Sequence, residues 1–217
     1  MRVDEYDVII LDCDGVIFNS NFLKIDAFRR VLRQYSARIV EDFINYFKNN
    51  FGTSRYSLVK VFIESFLKEE FDEIKYNDIL KRYGQECVGL YKDAEFTGHL
   101  IEFLNKYKNQ YLYVASGGDD SELKSVFIQR NIAQYFKGIY GSPVKKTEIV
   151  RSICNQNSNK RVLMIGDAKS DMLASKDNGI DFIFMKDFST SQEMKEDVGL
   201  ITIDNLGDLL WVILAFF

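Results

Sequence analysis

Val8 to Leu11 reads VIIL, four apolar residues held between Asp7 and Asp12. A run this short, unbroken and rich in β-branched side chains fits a strand buried on both faces of a parallel sheet. The same texture returns at Tyr111–Ala115 (YLYVA), Arg161–Ile165 (RVLMI) and Asp181–Met185 (DFIFM), and more weakly at Leu200–Ile203. Between these runs the apolar residues change to helical spacing: Leu100, Ile101, Phe103, Leu104 and Tyr107, then Leu123, Val126 and Phe127, then Ile149, Val150 and Ile153. Strands that alternate with helices predict an α/β protein built on a parallel sheet.

Residues 19–93 break the alternation. They hold no convincing buried strand and read as successive amphipathic helices, with stripes such as Phe28, Val31, Leu32 and Tyr35, or Val59, Phe62, Ile63, Phe66 and Leu67. This predicts an all-helical insertion after the first strand, its aromatic stripes forming an ordinary core. The expected division is a core of residues 1–18 and 94–217 and a helical insertion of 19–93.

At 217 residues, 47 % of them hydrophobic and 28 % charged, the chain suits one domain with an insertion and is not disordered. A net charge of −4 argues against a nucleic-acid binder. The N-terminus carries acids before its apolar run and no small-residue cleavage site after it, unlike a secretory signal. The apolar stretch Leu209–Phe217 is too short for a bilayer and is expected to close the core as a helix or strand. The three cysteines, Cys13, Cys87 and Cys154, form no CxxC pair, and a reducing, cytoplasmic compartment is expected. Cys13 is expected to pack inside the sheet turn.

In open parallel sheets ligands bind beyond the carboxyl ends of the strands. Those ends carry Asp12-Cys13-Asp14-Gly15, Ser116-Gly117-Gly118 and Gly166-Asp167 with Asp171, while Gly141-Ser142-Pro143 leads to Lys145 and Lys146. Carboxylates crowded on one rim repel one another unless a cation joins them. Oxygen donors suit Mg²⁺, and Mg²⁺ lets a phosphate dianion lie beside a carboxylate. That points to phosphoryl transfer, with Asp12 placed to attack phosphorus and Asp14 to move a proton. Singly, each residue also fits a structural role: Asp14 a turn before glycine, Asp167 and Asp171 a helix N-terminus, Ser116 a cap.

The set DCDG, ASGG, GSPVKK and GDAKSD, in this order, resembles the four motifs of the haloacid dehalogenase superfamily. The resemblance implies a Rossmann-like parallel core with an inserted α-helical cap. It implies Asp12 as nucleophile and metal ligand. Asp14 is implied as general acid/base, with its backbone carbonyl on Mg²⁺. Asp167 is the implied third protein ligand, and Asp171 an acid held behind the ligands. Ser116 and the Gly117 N–H would bind the transferring phosphoryl group. For the motif's lysine the family spacing favours Lys146, with Lys145 as the alternative.

An acid at Asp14 favours ester chemistry over dehalogenation, since a halide leaves without a proton. Gly52-Thr53-Ser54-Arg55 resembles a substrate-contact loop of β-phosphoglucomutase and related sugar phosphatases, which makes Arg55 a specificity candidate. Lys24 stands where those mutases carry a histidine, and Asn19 where relatives usually have an aspartate. The one histidine, His99, is expected simply to start a core helix. Ser20 and Lys24, one helical turn apart, are expected to face the cleft, with Asn19-Ser20-Asn21 as a polar wall.

The expectation is a Mg²⁺-dependent phosphatase of a small phosphorylated metabolite, a sugar phosphate or phosphorylated carboxylic acid, working through an aspartyl-phosphate. It is expected to be a monomer or weak homodimer with no nucleic-acid or membrane partner. The alternatives are a phosphomutase, a phosphonatase using Lys24 as a Schiff-base lysine, and a non-catalytic metal-binding interaction module.

Overall fold

In a computed structural model, residues 2–210 are described, and they form a six-stranded parallel sheet flanked by helices. β1 (Val8–Leu11) is followed by four helices, α1 (Asn21–Leu32), α2 (Ala37–Asn49), α3 (Arg55–Val61) and α4 (Glu73–Asp93). The chain then continues through α5 (Leu100–Lys106), β2 (Tyr111–Asp119), α6 (Asp120–Gln129), β3 (Phe136–Ser142), α7 (Lys146–Gln156) and β4 (Val162–Gly166). It ends in α8 (Lys169–Asp177), β5 (Asp181–Met185), α9 (Gln192–Glu196) and β6 (Thr202–Ile203). The strand order is β3-β2-β1-β4-β5-β6, so β1 is central and buried along its whole length.

Alternation along the strands divides the core into two faces. Ile9 and Leu11 of β1, Leu112 and Val114 of β2 and Leu163 and Ile165 of β4 pack with α5, α6 and the inserted helices. Val8, Ile10, Tyr113 and Met164 pack on the other face against Ile149, Val150 and Ile153 of α7 and Ala174 of α8. The inserted helices close on an aromatic cluster. Phe28 stacks on Tyr83 at 3.7 Å between centroids and meets Phe43 edge-on at 5.2 Å, and Phe43 meets Phe62 at 5.0 Å. The two edge-on pairs have a favoured aromatic geometry.

Register sets the rim. Leu11 lies opposite Val114 on one side and Ile165 on the other. Asp12 is therefore level with Ala115 and Gly166, and Ser116 and Asp167 stand one residue beyond. The segments entering and leaving the insertion are tied together: the Asn19 N–H donates to Glu95 O at 2.9 Å and the Thr97 N–H to Ile17 O at 3.0 Å.

The structure differs from the sequence expectation at β3, which carries Lys137, Gly138 and Gly141 on an edge of the sheet. An edge strand packs on one side only and needs no continuous apolar run. β2 runs four residues beyond Ala115, with a register shift between Ala115 and Asp119. His99 takes the N-cap of α5 with φ +63°. Of the apolar tail expected to close the core, Trp211–Phe217 lies outside the described residues.

Candidate active site

The loop after β1 turns sharply at Gly15, whose φ is +83°. A Cβ there would lie 2.3 Å from Asp167 Oδ2 and 2.6 Å from Asn21 Nδ2, so only glycine lets these two side chains in. Carboxylate oxygens of Asp12, Asp167 and Asp171 lie within 4.8 Å of one another, and all three residues are buried. Among the described residues one cation reaches this cluster: Lys146, the first residue of α7, places Nζ 2.9 Å from Asp12 Oδ1 and also bonds Asp171 Oδ1. Lys145 is exposed. Of the two lysines left open by the sequence, Lys146 is therefore the one that meets the carboxylates.

Asp171 is fully engaged. Its second oxygen accepts the N–H groups of Asp167 (3.2 Å) and Ala168 (3.0 Å), which fixes the turn that presents Asp167 and caps the start of α8. Asp167 accepts a 2.6 Å hydrogen bond from Asn21 Nδ2, and the Asn21 Oδ1 is buried without a partner among the described residues.

Three acids share one lysine, and the proton affinities of Asp12 and Asp167 reflect the excess charge. Burial, then repulsion from Asp171, pushes the Asp12 carboxyl up to about 7 against the pull of Lys146. Burial and repulsion from Asp12 and Asp171 push Asp167 well above its ordinary value. Burial works against the Lys146 charge, but Asp12 and Asp171 more than reverse it and hold the ammonium protonated. An all-oxygen donor set with uncompensated negative charge fits a hard divalent cation, with Asp12 and Asp167 as carboxylate ligands and Asp171 behind them.

The Asp14 carboxylate is not part of this cluster. It is turned toward the inserted helices, where it accepts from Lys24 Nζ at 2.5 Å, Ser20 Oγ at 2.6 Å and Tyr91 Oη at 2.6 Å. Burial alone would raise its pKa, but the Lys24 charge and the three hydrogen bonds hold it below the ordinary value. Ser20 and Lys24 share Asp14 as their partner, and of the two Lys24 lines the cavity between insertion and core while Ser20 is fully buried. Burial opposes the Lys24 charge too, yet Asp14 holds that amine protonated, the opposite of what a Schiff-base lysine needs.

Tyr91 has no local motif to announce it. Its spacing from Tyr83 and Cys87 on the buried face of α4 is the one available signal. Tyr91→Phe removes a charge-assisted hydrogen bond from a buried carboxylate and is expected to lower stability by about 1.5–3 kcal/mol in chemical denaturation. An unchanged midpoint would show that the hydroxyl contributes nothing to holding Asp14.

Ser116 is fully buried, and its Oγ accepts the Gly118 N–H at 3.0 Å. Gly117 meets the inserted segment: a Cβ on it would lie 2.3 Å from Gly52 O. A Cβ on Gly52, whose φ is +82°, would lie 2.0 Å from Ser170 Oγ and 3.2 Å from Lys146 Nζ. The Gly52 loop therefore seats directly on the rim. The cavity left between insertion and core, bounded by Asp14, Lys24, Gly52, Arg55, Tyr83 and Gly117, has a volume of about 20 Å³. That holds one water.

Arg55 lies at this cavity but is already taken. Its two Nη atoms bond the two oxygens of Glu122 at 2.9 and 2.5 Å, and its guanidinium lies 5.4 Å from the Tyr83 ring centroid. Sequence reasoning missed Glu122, which reads as one more acid in the first turn of α6. Cys13 is buried beneath the site, and burial pushes its thiol well up, as suits a packing residue. Asn19 contributes the backbone link to Glu95 described above.

The family profile of the haloacid dehalogenase-like hydrolases matches residues 9–185. Solved structures with the same fold include a predicted phosphoglycolate phosphatase from Haemophilus somnus, with 15 % identity and TM-score 0.73 over 95 % of this chain and 97 % of that one. A variant of CbbY from Rhodobacter sphaeroides in complex with xylulose-(1,5)bisphosphate has 15 % identity and TM-score 0.74 over 94 % and 96 %. The HAD-hydrolase YfnB from Bacillus subtilis, bound to magnesium, has 17 % identity and TM-score 0.67 over 94 % and 97 %. No curated protein matches the chain. With motif residues converging at the ends of β1, β2 and β4 and the profile covering most of its length, this chain belongs to the haloacid dehalogenase-like hydrolases.

Proposed function

We propose that this protein is a Mg²⁺-dependent phosphatase that hydrolyses a small phosphate monoester through an aspartyl-phosphate on Asp12. The observation that carries the reading is the gathering of Asp12, Asp167 and Asp171 around one lysine, with more negative charge than that lysine offsets. A magnesium ion held by Asp12 and Asp167 would supply the missing charge and polarise the phosphoryl oxygens.

The side chains then divide the work. Asp12 offers its free oxygen to phosphorus, while Lys146 holds the other oxygen and faces the developing charge. Ser116 and the Gly117 N–H bind the phosphoryl oxygens. Asp14 gives a proton to the departing ester oxygen and takes one from the water that later attacks the aspartyl-phosphate. Its present partners favour the ionised form, which serves that second step. The first step needs the protonated form, so protonation accompanies loosening of the Lys24 contact.

Residues 19–93 act as a cap. A cavity of about 20 Å³ admits a water and excludes any ester, so the cap lifts for the substrate and closes over it. The paired segments at Ile17–Asn19 and Glu95–Thr97 are the hinge. The magnesium-bound YfnB structure is described as revealing interdomain movement, and the same motion suits this cap.

The test is phosphate release from a panel of phosphorylated metabolites. Turnover is expected with Mg²⁺, is expected to stop with a chelator and to return when Mg²⁺ is restored. Turnover unaffected by the chelator would remove the metal from the reading, and no release from any ester would remove the phosphatase.

A further inference from the structure

Among the described residues that line the cavity between cap and core, the cations are Lys24 and Arg55. Each is matched inside the protein. Lys24 is paired with Asp14 at 2.5 Å. Arg55 gives both ends of its fork to both oxygens of Glu122. This second pair joins the cap to the core, since Arg55 opens α3 and Glu122 lies in the first turn of α6. It is well shielded: the side chains of Arg55 and Glu122 are 7 % and 21 % exposed. The fork-on-carboxylate geometry is also the one by which an arginine would bind a carboxylate or phosphate on a substrate. Glu122 lies in the groove on the far side of Arg55 from the cavity, and it takes the fork that a second substrate anion would otherwise engage.

The surroundings reinforce it. Asp119 caps the start of α6 beside Glu122, and the Tyr56 hydroxyl from the cap donates to Asp119 at 2.7 Å, a second tie between cap and core at Arg55. The rest of the wall is Phe47, Phe51, Leu58 and Tyr83, with the Thr53 hydroxyl as a neutral polar group. A substrate with a second negative group would have to draw Arg55 away from Glu122 and leave a largely buried carboxylate unpaired. A leaving group with hydroxyls and no charge would need none of this.

We propose that Glu122 is a specificity-determining residue, which holds Arg55 and selects phosphate monoesters whose leaving group is an uncharged alcohol or polyol over those carrying a second anion. The inference rests on the phosphatase reading for its catalytic arm and on binding alone for its other arm. It turns the expected substrate class away from phosphorylated carboxylic acids, and it makes Arg55 a partner of Glu122 before it is a partner of any ligand.

Glycerol 3-phosphate and 3-phosphoglycerate test this directly, because they differ in a hydroxymethyl against a carboxylate at the far end. With Mg²⁺ and the full chain, kcat/KM is expected to favour glycerol 3-phosphate by about tenfold or more. Glu122→Gln keeps the shape of the residue and removes its charge, and is expected to shrink that ratio by about tenfold, with a melting transition confirming the fold. A preference for 3-phosphoglycerate, or a ratio that Glu122→Gln leaves unchanged in a folded variant, overturns the proposal. Where the variant does not fold, the wild-type ratio decides alone. Calorimetric titration of Asp12→Asn with the same two esters gives the ratio of Kd without turnover. Failure of glycerol 3-phosphate to bind also overturns the proposal. Hydrolysis of p-nitrophenyl phosphate by the wild type reports separately on the phosphatase reading, so a wrong selectivity and a wrong reaction are told apart.

Discussion

Asp12→Asn is expected to yield a folded protein with turnover reduced by about 10⁴-fold or more. The amide matches the carboxylate in size, and Lys146 keeps its bond to Asp171. What is lost is the carboxylate oxygen proposed to take the phosphoryl group. The replacement also removes a charge from a crowded buried cluster in which Asp12 is held up to about 7. The thermal midpoint is therefore expected to stay at the wild-type value or rise. Loss of activity with loss of fold would leave the role to structure. Activity within about tenfold of wild type in a folded variant would remove Asp12 from the chemistry.

Lys146→Met is expected to act in two ways at once. The Met side chain keeps the apolar stem and deletes the charge that faces Asp12 and Asp171. Turnover is expected to fall by about 10²–10³-fold, the usual cost of removing one preorganised charge from the developing transition state. Stability in a chelator is expected to fall by about 3–5 kcal/mol, because buried carboxylates are left without their partner. Adding Mg²⁺ is expected to recover part of that stability and little of the turnover. Full activity in the variant would show that the lysine serves only to hold the cluster together. Unchanged stability in the chelator would show that the three acids do not need it.

Much of this site is legible in the order of residues, and the reason is physical. A parallel strand must be apolar on both faces, so VIIL declares itself, and its polar neighbours must then lie at the rim. Asp12, Ser116 and Asp167 could be placed together because pairing of β1 with β2 and β4 fixes their level. Motif spacing favours Lys146 over Lys145, and α7 begins so that Lys146 points inward and Lys145 outward.

The missing parts are those with no periodic signature. β3 is an edge strand interrupted by glycines, and its burial alternates too weakly to stand out. Tyr91 and Glu122 matter through partners 77 and 67 residues away, and local sequence carries no trace of such pairings. The resemblance of the Gly52–Arg55 loop to a substrate-contact loop makes Arg55 a specificity candidate, and nothing local in that loop announces that its fork holds Glu122. The role expected of Asp14 names no partners for its carboxylate; in the fold these are Lys24, Ser20 and Tyr91, because a buried acid takes the nearest donors.

The account depends on a covalent phosphoryl group passing through Asp12. Acid quench of the enzyme during turnover of a readily hydrolysed ester, followed by borohydride reduction and peptide mass spectrometry, measures this directly. An aspartyl-phosphate is reduced to homoserine, whereas a free aspartate is left intact. The account predicts homoserine at position 12, dependent on substrate and Mg²⁺ and lost in Asp12→Asn. Steady phosphate release with aspartate unmodified at position 12, or with the modification at Asp14 or Asp167, would contradict it.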